Sequence, residues 1–276
     1  MTKLFVTDID GTLVGAGGVV HPRDAQAIRE LLRKDVPVAL CTGRMFSGTR
    51  ELAGVFRLAG PVACIDGSHI FDLHTRGELS CSAISEEARV HLREALGMYR
   101  PAAFVFSGDR VIHDSRGDRF LNYLSSWSDQ RHLVPDVVHP KAWENEKNVA
   151  ALVLMGDEET IMGMDRALDG VPGLQDIVFE VRREDLAGSW GMVVRAAGVD
   201  KGTAVQWLAQ HYGVELQDVV AVGDWMNDVP MLKRAGQSYA MAQAPDEVKD
   251  AAKHLLRADI WTGGGVAEAA ERAGLI

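Results

Sequence analysis

Short apolar runs alternate with amphipathic segments in the first quarter of the chain. Leu4–Thr7, Val36–Leu40 and Pro61–Ile65 are near-continuous apolar runs, typical of strands that are buried on both faces of a parallel sheet. Between the first two, apolar side chains recur at helical spacing after Pro22, a residue favoured in the first turn of a helix. A second helix is predicted over Ser47–Leu58. This order of elements predicts an α/β fold with an open, doubly wound (Rossmann-like) parallel sheet.

The pattern changes in the middle of the chain, where short strands surround three predicted helices. These helices cover Ser85–Tyr99, for which Ser85 is a suitable N-cap, Asp118–Trp127 and Asp157–Leu168. Towards the end of the chain the α/β alternation returns, with a strand at Val219–Val222 and a helix over Glu247–Leu255. Both ends of the chain are therefore predicted to build one sheet.

The change of pattern predicts two domains. We expect a discontinuous α/β core domain made of residues 1–81 and 191–276. Residues 82–190 are expected to form an α+β cap domain inserted between its two parts.

The composition narrows the class of protein. Of the 276 residues, 47% are hydrophobic and 25% are charged, which excludes disordered and fibrous classes. A net charge of −10 gives no general attraction for nucleic acid or an anionic membrane, so neither partner is expected. Three cysteines without a CxxC pair disfavour disulfides and a zinc–thiolate site. We expect a cytoplasmic protein.

Residues that could form a binding or catalytic site directly follow the first two predicted strands. They are Asp8, Asp10, Gly11 and Thr12 after the first strand, and Thr42, Gly43 and Arg44 after the second. Residues i and i+2 of an extended chain point to the same side, so Asp8 and Asp10 can both face the crevice at the carboxyl end of the sheet. The hydroxyl and backbone N–H groups after the second strand suit a phosphate oxygen. Alone, the first group fits an ordinary turn equally well, and the second is more typical of a loop.

Two further groups lie near the end of the chain. Lys201 begins a predicted helix, and Gly223, Asp224, Asn227 and Asp228 follow the strand at Val219–Val222. All four groups are predicted at the same edge of the sheet, where they supply four carboxylates, a hydroxyl, an amide and a cation. These hard oxygen ligands suit Mg²⁺ rather than Zn²⁺.

These motifs resemble those of the haloacid dehalogenase (HAD) superfamily. The matching residues are Asp8-Ile9-Asp10-Gly11-Thr12, Thr42, Lys201 and Gly223-Asp224-Trp225-Met226-Asn227-Asp228. The surroundings of the motifs and the long insert are similar to those of Cof-type sugar phosphatases with a type IIB α+β cap. The resemblance covers the core, whereas the cap matches in length and element order.

The resemblance implies a Mg²⁺-dependent phosphatase and a role for each matching residue. Asp8 would attack phosphorus to form an aspartyl-phosphate, Asp10 would act as acid and then base, and Lys201 would offset charge. Asp8 and Asp224 would bind Mg²⁺ by their side chains and Asp10 by its backbone carbonyl, with Asp228 in support. The remaining matching residues would contact phosphate or substrate, namely Thr42, Gly43, Arg44 and Asn227.

The resemblance implies a small phosphorylated metabolite as the substrate but does not identify which one. A sugar phosphate is the leading expectation. The alternatives are a phosphoglycerate conjugate, a nucleotide-like cofactor or pyridoxal phosphate, or a non-catalytic regulator that binds phosphometabolites. Asp66 and Trp225 depart from the family's habits, and Tyr123 and Trp127, four apart, fit core packing or substrate contact. Their roles stay open.

Overall fold

The computed structural model describes residues 3–181 and 183–276. Its strands are β1 (Leu4–Thr7), β2 (Val38–Leu40), β3 (Pro61–Cys64), β4 (His69–Asp72), β5 (Glu78–Cys81), β6 (Ala102–Ser107), β7 (Arg110–His113), β8 (Arg131–Leu133), β9 (Val149–Gly156), β10 (Leu174–Glu180), β11 (Trp190–Ala196), β12 (Val219–Gly223), β13 (Gln237–Ala240) and β14 (His254–Leu255). Its helices are α1 (Pro22–Arg33), α2 (Phe46–Phe56), α3 (Glu86–Tyr99), α4 (Glu158–Leu168), α5 (Lys201–Tyr212), α6 (Val229–Arg234), α7 (Asp246–Ala251) and α8 (Gly265–Arg272).

The chain divides into two compact units. The first contains the residues up to Gly43, Arg50–Leu79 and Val199–Ile276. The second contains Arg44–Thr49 and Ser80–Gly198.

A five-stranded parallel sheet forms the centre of the first unit, in the order β14-β13-β12-β1-β2. The side chains of β1 and β12 are buried along their whole length, which is the burial expected for inner strands covered on both faces. The carboxyl ends of β1 and β12 therefore lie side by side. The prediction of a parallel α/β sheet core is confirmed.

The third predicted strand does not join this sheet through a full ladder. A single parallel bridge links Cys41 to Ala63, and β3 instead pairs antiparallel with β4 in a three-stranded sheet. Three consecutive residues with positive φ, Ile65, Asp66 and Gly67, turn the chain back directly after β3. Because of this reversal, the third predicted strand forms a hairpin with β4 and not a full parallel ladder with β2.

The second unit contains a six-stranded sheet in the order β10-β11-β9-β6-β7-β8. Its pairs are antiparallel except for β7 with β8, and α3 and α4 contribute buried apolar side chains to the same core. As predicted, the Ser85 hydroxyl caps α3 by accepting a hydrogen bond from the Ala88 N–H at 3.2 Å.

Two predicted helices are wrong in part. The segment Asp118–Trp127 forms short 3₁₀ turns at Ser115–Phe120 and Leu124–Ser126, because polar side chains there compete for the backbone: the Ser125 hydroxyl donates to the Asn122 carbonyl at 2.8 Å. The helix predicted over Glu247–Leu255 ends at Ala251, and His254 and Leu255 become the edge strand β14. Pairing with β13 overrides the local helical pattern there.

No helix in the described ranges is long and apolar enough to cross a membrane.

Candidate active site

A buried lysine joins two carboxylates at the carboxyl end of the parallel sheet. Lys201 is the first residue of α5, which begins with an Asp200 capping box. Its Nζ donates to Asp8 Oδ1 and to Asp228 Oδ1, both at 2.6 Å. Lys201 and Asp228 have no exposed side-chain surface, and Asp8 has 7%. The structure thus brings together three of the predicted residues.

Burial and mutual charge shift the pKa values of this cluster. Burial raises the pKa of Asp8 well above its ordinary value; the Lys201 charge opposes this, and the charges of Asp228 and Asp224 add to it. Burial alone would lower the pKa of Lys201, but the charges of Asp228 and Asp8 hold it well above its ordinary value. The lysine is therefore a permanent cation beside Asp8.

Asp224 follows β12 and is held by groups from two other loops. Its Oδ1 accepts a hydrogen bond from the Thr12 hydroxyl at 2.7 Å, and its Oδ2 lies 3.4 Å from Gln243 Nε2. Gly11 has φ +88°, and a Cβ at this position would overlap the Asp224 carboxylate. Burial, with the Asp228 charge, raises the pKa of Asp224 to about 6.

Asp228 supports the loop that carries Asp224. Its Oδ2 accepts the backbone N–H groups of Asp224 at 2.8 Å and of Trp225 at 3.0 Å, while its Oδ1 is bound by Lys201. Both oxygens are therefore committed to this chain's own donors.

The donor set fits a divalent cation such as Mg²⁺. Asp8, Asp224 and Asp228 each present a carboxylate oxygen, and these three oxygens lie within 4.8 Å of one another. Because Asp228 already accepts three hydrogen bonds, from Lys201 and two N–H groups, Asp8 and Asp224 are the carboxylates better placed to bind a metal. Their raised pKa values show that each carboxylate is costly to ionise here, and a divalent cation would relieve that cost.

Residues expected to hold phosphate lie on neighbouring loops of the same unit. The Thr42 carbonyl accepts the Asp66 N–H at 2.9 Å, and Asn227 Nδ2 donates to Asp66 Oδ1 at 2.7 Å. A Cβ added at Gly43 would lie 3.5 Å from Asp66 Oδ1 and 3.9 Å from Asn227 Nδ2. Thr42, Gly43 and Asn227 thus surround Asp66. Its carboxylate is notable there, because a negative charge does not help a loop to bind an anion.

The backbone that carries Asp66 is strained. Ile65 and Asp66 both adopt left-handed conformations, with φ values of 50° and 51°. A β-branched residue such as isoleucine rarely adopts this region, and each such residue costs about 1–3 kcal/mol. The surrounding structure therefore holds the backbone at Ile65 and Asp66 in an unfavourable conformation.

Two predicted site residues lie outside the closely packed cluster. Asp10 is exposed, and it is not among the described carboxylates that approach within 4.8 Å of one another. Arg44 belongs to the second unit, where its Nη1 donates to the Gly48 carbonyl at 3.1 Å. Their roles in catalysis and substrate binding stay predictions.

Sequence reasoning missed Gln243. Its Nε2 donates to the Gly11 carbonyl at 2.8 Å and approaches Asp224 Oδ2, so it braces both acidic loops. Gln243 lies three residues after β13, the strand next to β12 in the sheet. Its position just beyond the carboxyl end of a parallel strand is the sequence signal that could have identified it as a site residue.

Comparison with known proteins identifies the family. A sequence model of the haloacid dehalogenase-like hydrolases matches residues 5–269, nearly the whole chain. The chain belongs to this family. The resemblance that the motifs carry is confirmed, and so is the expectation of a hydrolase enzyme.

Relatives of this HAD-family chain are similar over more than nine-tenths of their lengths. A phosphoglycolate phosphatase from Methanopyrus kandleri is 27% identical over 97% of this chain and 95% of its own. A pyridoxal phosphate phosphatase from Escherichia coli is 23% identical over 92% of this chain and 93% of its own. The crystal structure of a HAD subclass IIB sugar phosphatase has a TM-score of 0.79 at 21% identity and covers all of both chains, which shows a shared fold.

Proposed function

We propose that this protein is a Mg²⁺-dependent phosphatase that hydrolyses small phosphorylated metabolites, with sugar phosphates as the leading class. The observation that carries this proposal is the position of Asp8, which lies at the end of β1 with a lysine ammonium on one oxygen and a second carboxylate, Asp224, nearby. A nucleophile for phosphoryl transfer needs such charge compensation, because the incoming phosphate is itself an anion.

In the proposed reaction Asp8 provides the attacking oxygen. A new bond forms between an Asp8 carboxylate oxygen and phosphorus as the bond between phosphorus and the leaving oxygen breaks. Asp10 gives the leaving oxygen a proton, so that it departs as an alcohol. Asp10 then takes a proton from water as the water attacks phosphorus, which returns inorganic phosphate and free Asp8. Lys201 opposes the effect of burial on the pKa of Asp8, which favours the ionised carboxylate, and it offsets the charge that accumulates around phosphorus.

Asp8 and Asp224 would hold the Mg²⁺ ion, which when bound supplies positive charge to the phosphoryl oxygens. Thr42, Gly43 and Asn227 would orient those oxygens through a hydroxyl, a backbone N–H and a side-chain amide. Asp228 acts through the loop: its bonds to the Asp224 and Trp225 N–H groups fix the direction of the Asp224 carboxylate.

The proposed site residues bind the phosphate group that all candidate substrates share, so they do not distinguish between the classes of metabolite. Of the expected classes, pyridoxal phosphate is supported by a relative that is named for it, and another relative is named for phosphoglycolate, a further small phosphate monoester. The fold neighbour is named a sugar phosphatase. All share a phosphate monoester on a small polar body.

We further propose that the second unit selects the leaving group. Tyr123 and Trp127 are half-buried there, with ring centroids 5.9 Å apart, so they offer apolar surface that is only partly used by packing. Substitution of Tyr123 by Ala should change the ranking of metabolites by kcat/KM. An unchanged ranking of metabolites in Tyr123→Ala would show that Tyr123 does not select the leaving group.

Turnover of 4-nitrophenyl phosphate with Mg²⁺ tests the central proposal, because it separates a catalyst from a regulator that only binds. We expect saturable release of 4-nitrophenol by the wild-type protein and its loss in Asp8→Asn by more than about 10⁴-fold in kcat. An Asp8→Asn protein that keeps its rate would exclude Asp8 as the nucleophile. A screen of phosphorylated metabolites would then rank the substrate classes.

A further inference from the structure

A cavity of about 960 Å³ in the first unit shares no lining residue with the candidate active site. It lies among the start of α1, the loop after β14 and helix α8. Its charged and titratable lining residues are His21, Arg23, Arg257, Arg272 and Glu268. Three arginines and one carboxylate line this wall in a chain whose net charge is −10, and Glu271, outside the lining, pairs with Arg23.

The single acid in the wall is already used by the backbone. The Glu268 carboxylate accepts the N–H of Arg257 at 2.9 and 3.1 Å and the N–H of Ala258 at 3.1 Å. Arg272 Nη1 lies 3.4 Å from the same carboxylate. Glu268 therefore fixes the loop and does not compensate the guanidinium group of Arg257.

Cationic donors remain available to a ligand. Among the described residues, the Arg257 side chain has no hydrogen-bond or ion-pair partner, whereas Arg23 bonds Glu271 through Nη2 alone, at 3.0 and 3.3 Å. His21 Nδ1 accepts the Arg23 N–H at 3.3 Å, so the proton of a neutral His21 ring is on Nε2. Arg272 is held in place, with its guanidinium 5.4 Å from the centre of the Tyr239 ring.

We propose that this cavity binds a small polyanion that carries phosphate or carboxylate groups. Guanidinium groups match both kinds of group through paired N–H donors. Leu255 and Ala258 add apolar surface to the wall, which suits an anion built on a carbon skeleton.

The loop that lines the cavity also contacts the candidate active site. The N–H of Ile260, between the lining residues Ala258 and Thr262, donates to Gln243 Oε1 at 3.0 Å. Gln243 in turn donates to the Gly11 carbonyl at 2.8 Å and lies 3.4 Å from Asp224. An anion that orders this loop therefore changes the support of Asp224, and the site acts as a regulatory site.

Calorimetric titration in buffer freed of metal by a chelating resin, with no soluble chelator present, tests the binding. The probes are inorganic pyrophosphate and propane-1,2,3-tricarboxylate, which separate a phosphate ligand from a carboxylate ligand. We expect one saturable site for at least one probe, weakened about tenfold or more in Arg257→Gln. Arg33→Gln, which removes a 73% exposed arginine outside the cavity, is the matched control and should bind normally.

Asn227→Ala separates this site from the phosphate-binding loops and should also bind normally. No saturable binding of either probe, equal affinity in Arg257→Gln, or loss of binding in Asn227→Ala would each overturn the proposal. None of these outcomes depends on phosphatase activity, so failure of the proposed function would be recognised separately.

The regulatory part has its own measurement. At saturating tricarboxylate and fixed free Mg²⁺, kcat or KM for 4-nitrophenyl phosphate should shift by about fivefold in the wild-type protein and stay constant in Arg257→Gln. Demonstrated binding with an unchanged rate would overturn the regulatory role. A rate change that persists in Arg257→Gln would assign the effect to competition at the active site instead.

Discussion

Asn227 donates a hydrogen bond from Nδ2 to Asp66 Oδ1 at 2.7 Å, across 161 positions of the sequence. The amide that is proposed to hold a phosphate oxygen is therefore oriented by a carboxylate. Asp66 is 9% exposed and sits on strained backbone, so its negative charge lies close to the position proposed for an incoming anion.

Asp66→Asn should strengthen substrate binding. The new side chain keeps an oxygen that accepts from Asn227 and removes a negative charge, so KM for 4-nitrophenyl phosphate should fall by roughly fivefold, equivalent to about 1 kcal/mol. Steady-state kinetics of Asp66→Asn, Asp66→Ala and the exposed-site control Glu51→Gln would measure this. A KM that is unchanged or higher in Asp66→Asn would show that the charge does not oppose binding.

Lys201→Met should destabilise the protein strongly. The substitution leaves two buried carboxylates, Asp8 and Asp228, without their cation, and breaking a buried pair costs about 3–5 kcal/mol. Urea unfolding in EDTA would measure the free energy of unfolding. Lys249→Met is the control, because Lys249 lies 3.9 Å from an Asp246 side chain that is 95% exposed. A loss below about 1 kcal/mol would contradict the buried pairing.

The raised pKa of Asp224 predicts an unusual pH dependence in the metal-free protein. Its pKa is about 6 in the folded state against 3.8 ordinarily, so between these values the folded state binds more protons than the unfolded state. The contribution of Asp224 to stability is therefore largest below about pH 4 and is lost as the pH rises through about 6.

Comparison with Asp224→Asn isolates this effect from other groups. On acidification from pH 7.5 to 4.5 in EDTA, the unfolding free energy of the wild type should gain about 1–3 kcal/mol relative to the variant. Urea melts at several pH values would measure the difference. A flat difference, or one of the opposite sign, would contradict the raised pKa.

Removal of the metal should abolish activity. EDTA should stop hydrolysis of 4-nitrophenyl phosphate and Mg²⁺ should restore it, whereas Ca²⁺ should restore it poorly because its coordination is larger and less regular. Mg²⁺ should also raise the midpoint of thermal unfolding, and Asp224→Asn should reduce that shift. Full activity in metal-free buffer would end the proposal of a metal-dependent reaction.

Asp10→Asn should slow turnover in a way that depends on the leaving group. Without a proton donor, an alkyl phosphate should lose about 10²–10⁴-fold in kcat, while 4-nitrophenyl phosphate, whose leaving group needs little protonation, should lose less in the first step. Single-turnover measurements with both esters would compare the losses. Since Asp10 is exposed, stability should change by less than about 0.5 kcal/mol. Equal losses for both esters would argue against acid catalysis by Asp10.

Much of the fold and the nature of the site could be predicted because their signals are local. The apolar run of β1 predicts a buried strand, and Ser85 predicts the start of α3, since both depend on neighbours in the chain. The acidic residues at strand ends predict a cation site for the same reason: the carboxyl ends of parallel strands meet at one edge.

Long-range packing decided the remaining features. Whether Lys201 is solvated or buried between two carboxylates depends on Asp8, which lies 193 positions earlier, and on Asp228, which lies 27 positions later. No local pattern of the sequence specifies these contacts. The same holds for Gln243, whose partners are on other loops, and for His254 and Leu255, which become a strand only because β13 offers an open edge. Short-range preferences fix what a segment can form, and the free energy of tertiary contacts selects among those forms.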